Sequence, residues 1–502
     1  MDSVERLAVA ARSGAELPGE LAGCRAVPQS VHETGGVLAF IARSAVERFL
    51  VVAGSGLPAA MEGVRINAGE LDALRCPLSP ANARALMELF PFVAPSANRD
   101  RPFSMGLGDR LGLASPGHLE AIAGKGIFPV LAQQSMRELK LTGRSYEQVV
   151  AAAAFAVFQQ DWREGWGADG DHLKTAEEIR TALDCGCTMI TLDCSEQMGG
   201  QAGELEGSRL DKAYQELPEP VRSHYEKNYL GRAFSGGLIG PGDVKAIALT
   251  YGRVIEHAAD IYHNVIAPWG KPVDFEVSID ETATPTTPAA HFVVASELAG
   301  RGVAMTSMAP RFIGEFQKGI DYIGDPSLFE RDFIAHAQIA RQFGYRLSIH
   351  SGSDKFAVFG AIGRHTGLRV HVKTAGTSWL EALRVVARKD AALFREMLAF
   401  AMETLPQARA YYHISADPAR VAPPETVADA ALEQYLDQPD ARQILHITYG
   451  LLLQAQADGG ADRFRGRLFA LLHRHEAEYR EALRAHIGRH ADVLMGQEPN
   501  CG

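Results

Sequence analysis

The sequence predicts an α/β fold: a closed (β/α)8 TIM-type barrel with an N-terminal extension and a helical C-terminal appendage. Three observations carry this expectation. Short apolar runs alternate with longer helical stretches between about residues 100 and 385, and strand–helix alternation implies βαβ units on a parallel sheet. The length and number of units favour a closed eight-stranded barrel over an open sheet. The strands also begin apolar and end polar, as in LDCSE, SIDE, SIHSGSD and VKTAG. In a parallel barrel those ends share one mouth, so polar residues far apart in the chain converge there. That convergence points to an enzyme.

The strands expected are 126–135, 188–196, 274–281, 302–312, 345–354 and 368–376, with a periodic helix over 327–344. The Pro-, Gly- and Asn-rich stretch 91–110 reads as a junction or strand-end loop. Residues 1–95 form an N-terminal α/β segment in which RFLVVAGSG (48–56) reads as a strand entering a turn. Residues 96–420 are expected to form the catalytic barrel, and 421–502 a helical region with apolar residues three and four apart. The Ala-rich run 149–158 reads as a packed helix. His473, His475, His486 and His490 read as one packed or solvated helix face, not a metal cluster.

The 502 residues exceed the size at which single cores stop growing, about 250–300 residues, which leaves room for these appendages. A hydrophobic content of 46% against 22% charged residues supports an ordinary globular core. The net charge of -11 argues against a nonspecific nucleic-acid binder, yet a local Lys/Arg cluster could still hold an anionic substrate. Six cysteines do not make a disulfide scaffold, and Cys185, Cys187 and Cys194 lack the paired knuckles of a zinc site. They read as small buried hydrophobes. The start MDSVERLAVAARSGAEL lacks the basic start and apolar run of a signal peptide. No stretch reaches about 18 uninterrupted apolar residues. The expectation is a cytoplasmic protein with no membrane and no nucleic-acid partner.

Four constellations could carry chemistry. WGADGDHLK (166–174) presents Asp171, His172 and Lys174 beside Gly167 and Gly170, which would let the backbone approach a ligand. An imidazole next to a carboxylate suits metal work. DFEVSIDET (274–282) alternates, placing Glu276, Ser278 and Asp280 on one face. Buried carboxylates on an inward face need a cation, a proton partner or a hydroxyl. APRFIGEFQKGIDYIGD (309–325) supplies Arg311, Glu315, Gln317 and Lys318 after a strand, and Gln317 could offer an amide oxygen to a cation. LSIHSGSDKF (347–356) ends a strand on His350, followed by Ser351, Asp354 and Lys355 in a turn, which suits a metal plus an anion. His371 and Lys373 lie on the next strand. Walker A and G-x-S-x-G patterns do not occur, and GLGDRLG (106–112) lacks the strand–helix context of a dinucleotide loop.

Together DGDHLK, FEVSIDET, FIGEFQKGIDYIGD and SIHSGSDKF resemble the tagaturonate epimerase family, over about residues 95–450. The resemblance implies a divalent-metal-dependent enzyme that interconverts D-tagaturonate and D-fructuronate. It implies Asp171 as proton acceptor, Glu276 as proton donor, and His172, Gln317 and His350 as metal ligands. Glu315 is a chemical rival to Gln317. Lys174, Arg311, Ser351, Lys355 and Lys373 are expected to bind the substrate. The metal could be Zn, Mn, Ni, Co or Fe.

The two sugars differ at a carbinol carbon whose C–H is not acidic. Its hydroxyl is β to the ketone, so retro-aldol cleavage and re-addition could invert it. Alternative readings are an epimerase of neutral ketohexoses, a class II-type metal-dependent sugar aldolase, or a sugar-binding barrel without turnover.

Overall fold

Eight parallel strands close into a barrel in chain order: β1 (Phe103–Gly106), β2 (Phe128–Ser135), β3 (Gly167–Leu173), β4 (Met189–Asp193), β5 (Asp274–Ile279), β6 (Ser307–Pro310), β7 (Arg346–Ile349) and β8 (Val370–Lys373). Each strand neighbours the next, and β8 returns to β1. The computed structural model describes residues 3–497 other than 55, 69–70, 99, 200–203 and 458.

The expected barrel is the observed one, with local differences: β3, Gly167–Leu173, was not among the six strands expected, and β1 and β6 also depart from expectation. β1 lies inside the stretch read as a loop; Phe103–Gly106 follows Pro102 and ends on Gly106 with Gly108 just beyond, residues that signal a turn. β6 is confined to Ser307–Pro310, the centre of the expected 302–312 run. Alternation along β5 holds: Phe275, Val277 and Ile279 are fully buried apolar residues between Glu276 and Ser278, so one face packs outward while the other points into the barrel.

The helices follow local rules. The helix expected over 327–344 is Pro326–Phe343, with Asp325 accepting from the Ser327 and Leu328 N–H groups and Gly344 closing it at φ 80°. The Ala-rich run lies in Tyr146–Gln159, opened by a capping box of Ser145 and Gln148. Phe155, Val157 and Phe158 on it are buried, as expected for a packed helix.

The chain divides into two compact units, one comprising 1–96, 107–168 and 375–488, the other 97–106, 169–374 and 489–502. The first contains a six-stranded sheet between Arg25 and Cys76, whose core includes Leu38, Phe40 and Val51. It also contains the helical stretch from Thr377 to Gly488, with a core around Trp379, Leu383, Phe394 and Tyr449. No helix among the described residues is long and apolar enough to cross a membrane. His490 is buried in the second unit, 4.8 Å from the Phe356 ring, and its Nε2 accepts from the Asp354 N–H at 2.8 Å.

The second unit also holds a histidine pair. His291, on the helix Pro288–Gly300, meets His336, on Pro326–Phe343, at 2.8 Å between their Nδ1 atoms. His291 Nε2 lies 2.5 Å from the Tyr345 hydroxyl. Both imidazoles are fully buried. Burial, and then the neighbouring His336, hold the His291 pKa well below its ordinary 6.5. Below about pH 6.5 the unfolded chain binds a proton here that the folded chain refuses, so stability is lost as pH falls. We predict that the urea midpoint of the protein decreases between pH 7 and pH 5. A His291→Leu variant should be less stable at pH 8 yet show a shallower loss on acidification; an unchanged slope would contradict this account.

Candidate active site

The site begins with an irregularity in β3. Gly170 pairs with Ile190 and Leu173 pairs with Leu192, so a three-residue step on β3 faces a two-residue step on β4. His172 sits at φ 57° within this bulge. A regular strand would send Asp171 and His172 to opposite faces; the bulge turns both toward the mouth. His172 Nδ1 then lies 2.8 Å from Asp171 Oδ1. Gly170 serves packing, not the close ligand approach expected of it. A Cβ there would come within 2.8 Å of Leu173 and 3.0 Å of Ala182 on the helix Ala176–Asp184. That helix is fixed by a capping box of Thr175 and Glu178 directly after Lys174.

Below this mouth Lys373 gathers the inward face. Its ammonium lies 2.9 Å from Asp169 Oδ2, 2.7 Å from Asp171 Oδ1 and 2.6 Å from Thr191 Oγ1. Glu276 Oε1 is 3.1 Å away. Register explains the cluster: Thr191 pairs with Glu276, and Glu276 with Ser307, so three polar side chains stand side by side on β4, β5 and β6. Ser307 Oγ donates to Glu276 Oε2 at 2.6 Å. Lys373 was expected to hold a substrate carboxylate or hydroxyl. It is 4% exposed and shared among three carboxylates instead.

Above the cluster, His172, Asp280 and His350 each offer one ligand atom, and all three atoms lie within 4.8 Å of one another. The two imidazole centroids are 4.8 Å apart. His350 Nε2 lies 2.7 Å from Glu276 Oε1. Its Nδ1 is 3.1 Å from Asp280 Oδ2, yet it has no aligned hydrogen-bond partner although buried. A tautomer with the proton on Nε2 leaves the Nδ1 lone pair beside Asp280 and His172, an arrangement suited to a shared cation. Each imidazole keeps a carboxylate on its other nitrogen, Asp171 for His172 and Glu276 for His350, the usual support for a ligating histidine.

Charge points the same way. Asp169, Asp171 and Glu276 meet one ammonium, Lys373, while Asp280 faces His350. Burial alone would raise the Asp171 and Glu276 pKa values, but Lys373, helped by His172 and His350 respectively, holds both well below the usual carboxylate range. Asp280 is lowered as well, because His350 outweighs its burial. Asp169 goes the other way: burial, despite Lys373, pushes it up to about 6. Burial opposes a charge on His350, yet Asp280 and Glu276 push it up to about 10. His172 is also raised, Asp171 outweighing its burial. Buried negative charge in excess calls for a cation, and two imidazoles with a carboxylate form a donor set for a divalent one.

The other expected residues fall into two groups. Gln317 is buried and its amide nitrogen donates to Glu315 at 2.5 Å, whereas Glu315 is exposed. Ser351, at φ 50°, accepts from Lys318 Nζ at 3.0 Å beside His350. Arg311 donates to the Thr282 carbonyl, and Lys174 pairs with Glu196 at 3.0 Å while 35% exposed. Lys355 corrects the expectation of a substrate contact. It is fully buried, and its ammonium donates to the carbonyls of Gln317, Ile320 and Ser353 at 2.8, 2.6 and 2.8 Å. It therefore ties the loop after β6 to the loop after β7. Asp169, Thr191 and Ser307 were not assigned from sequence, and Asp280 was placed on the inward face of its strand without a role. Asp169 was accessible: it stands two residues before Asp171, the same alternation that marked Glu276, Ser278 and Asp280.

Residues 27–494 match the family model for tagaturonate epimerase. The chain is 38% identical over 482 residues to the tagaturonate/fructuronate epimerase of Thermotoga maritima, covering 94% of this chain and 98% of that protein. The native crystal structure of fructuronate-tagaturonate epimerase UxaE from Cohnella laeviribosi matches with TM-score 0.92 and 48% identity over 98% of each chain. A glycerol complex of that enzyme matches with TM-score 0.91 and 50% identity, over 93% of this chain and 96% of that one. These matches include the N-terminal sheet and much of the helical tail, where the motifs were silent. The chain therefore belongs to the tagaturonate epimerase family and is an epimerase, an isomerase-class enzyme.

Proposed function

We propose that this chain interconverts D-tagaturonate and D-fructuronate in hexuronate catabolism, using a divalent metal, by retro-aldol cleavage and re-addition at the carbinol β to the ketone. The observation that carries the reading is the meeting of His172, His350 and Asp280 at one point, with Asp171 and Glu276 directly behind the two imidazoles. The relatives named as tagaturonate/fructuronate epimerases support the substrate class. Five free cysteines among the described residues accord with a reducing cytoplasm.

Asp171 takes the hydroxyl proton. The bond between the α and β carbons breaks, leaving an aldehyde on one fragment and an enediolate on the other. A divalent cation held by His172, His350 and Asp280, with Gln317 as a further oxygen donor, would supply Lewis-acid stabilisation of the developing oxygen charge. The aldehyde rotates and the enediolate carbon attacks its other face. The new alkoxide takes a proton through Glu276, which draws it from the His350 or Lys373 N–H group it touches. Ser351 offers a hydroxyl beside His350, while Arg311 and Lys174 stand at strand ends for the substrate carboxylate.

Three outcomes follow. Purified protein incubated with D-tagaturonate should yield D-fructuronate and lose that activity on chelation; two short fragments would mean an aldolase, and faster turnover of fructose or tagatose would mean a neutral substrate. Asp171→Asn and Glu276→Gln should each lower kcat by about 10²- to 10⁴-fold with metal content retained. Wild-type turnover in Glu276→Gln would refute its role. Because His350 and His172 hold protons above their ordinary range, metal added to chelated protein at pH 7 should release protons. Calorimetry in buffers of differing ionisation enthalpy reads that release, and its absence would remove the imidazoles from the ligand set.

A further inference from the structure

We propose that Lys373 and Asp169 form a buried positioning pair that fixes the two proton-transfer carboxylates, Asp171 and Glu276, relative to each other. The inference rests on the acid–base roles proposed above for those two residues. Asp171 belongs to β3 and Glu276 to β5, with β4 between them. As like charges in one buried space they repel. The Lys373 ammonium reaches both, at 2.7 Å to Asp171 and 3.1 Å to Glu276.

An ammonium has three hydrogens and no directional preference of its own, so something must fix where it stands. Asp169 does so from one side at 2.9 Å, and Thr191 from β4 at 2.6 Å. Thr191 Oγ1 in turn lies 3.0 Å from Asp169 Oδ2 and 3.3 Å from Glu276 Oε1. The ammonium is thereby centred among three neighbouring strands and β8, its own. Asp169 has no substrate to meet: its side chain is fully buried against Lys373 and Thr191. Its carboxylate acts through the lysine. The arrangement differs from a plain core ion pair because the same ammonium also binds both residues assigned to proton transfer.

The test separates positioning from mere stability. Lys373→Met leaves three buried carboxylates without their cation, so the melting temperature should fall and kcat should drop at least ~100-fold. The double variant Asp169→Asn/Lys373→Met restores the net charge of the cluster. Its melting temperature should recover toward wild type while kcat stays at least ~100-fold down, with KM and metal Kd within a few-fold of wild type. If kcat recovers along with the melting temperature, the pair is structural only and the proposal is overturned. Asp169→Asn alone is nearly isosteric and guards against misfolding. It should lower kcat about tenfold at unchanged metal Kd, and wild-type kcat in it would overturn the proposal. If the wild-type protein binds metal yet epimerises neither uronate, the functional reading has failed on its own. Crystal structures of Asp169→Asn and of the double variant then decide the pair: displaced Asp171 and Glu276 carboxylates support it, and unmoved ones overturn it.

Discussion

Four carboxylates share the inner end of this barrel with a single ammonium, and the rest of the site is arranged around that imbalance. Asp169, Asp171 and Glu276 contact Lys373 directly, while Asp280 faces His350. Leaving one buried charge unpaired typically costs about 3–5 kcal/mol, comparable with much of a domain's net stability. A barrel would not keep such a cluster for packing. The excess charge is balanced either by protons on His172 and His350 or by a cation between them. Both imidazoles are therefore poised between two partners, and the carboxylates behind them decide how strongly each holds its proton.

The fold supplies this geometry cheaply because register does most of the placing. Thr191, Glu276 and Ser307 are neighbours simply because β4, β5 and β6 are paired in step. Only the neighbouring pair Asp171 and His172 demanded a departure from regular structure. Regular alternation cannot aim two consecutive residues at one point, and the bulge with a left-handed His172 does so. Ser351 and Asp354, also at positive φ, bend the chain immediately after His350. Strained backbone is concentrated where ligand atoms must converge, and Lys355 pins two of the loops involved through their carbonyls.

Much of this was legible in the sequence, for identifiable reasons. Strand–helix alternation and polar strand ends revealed the barrel and its mouth, and the period-two face of β5 revealed Glu276 and Asp280. His172 stood out because it follows Asp171 beside two glycines and a lysine, and His350 because an imidazole at a strand end precedes a polar turn. Three things were not legible. β1 is hidden among Pro and Gly residues that signal a loop. Gly170 looked like a ligand-approach glycine because nothing local reveals that Ala182 packs over it. Lys355 and Lys373 looked like anion ligands because a sequence shows a charge but not its direction. One turns into backbone carbonyls and the other into a nest of carboxylates.

The last two lysines also explain why composition is a poor guide to substrate charge here. A sugar acid must be met by positive charge, yet the most buried cations of the second unit's site are already matched to protein oxygens. Under the proposed function, positive character for a carboxylate is assigned to the partly exposed rim, where Lys174, Arg311 and Lys318 follow β3 and β6. That division is physically sensible. Buried charge with fixed partners orients the reacting groups without reorganising during turnover, whereas rim charge attracts and releases an anion at modest cost because water screens it. The proposed function thus assigns chemistry and capture to different depths of the same mouth, with Lys373 acting through the carboxylates it holds and Lys355 through the loops it ties.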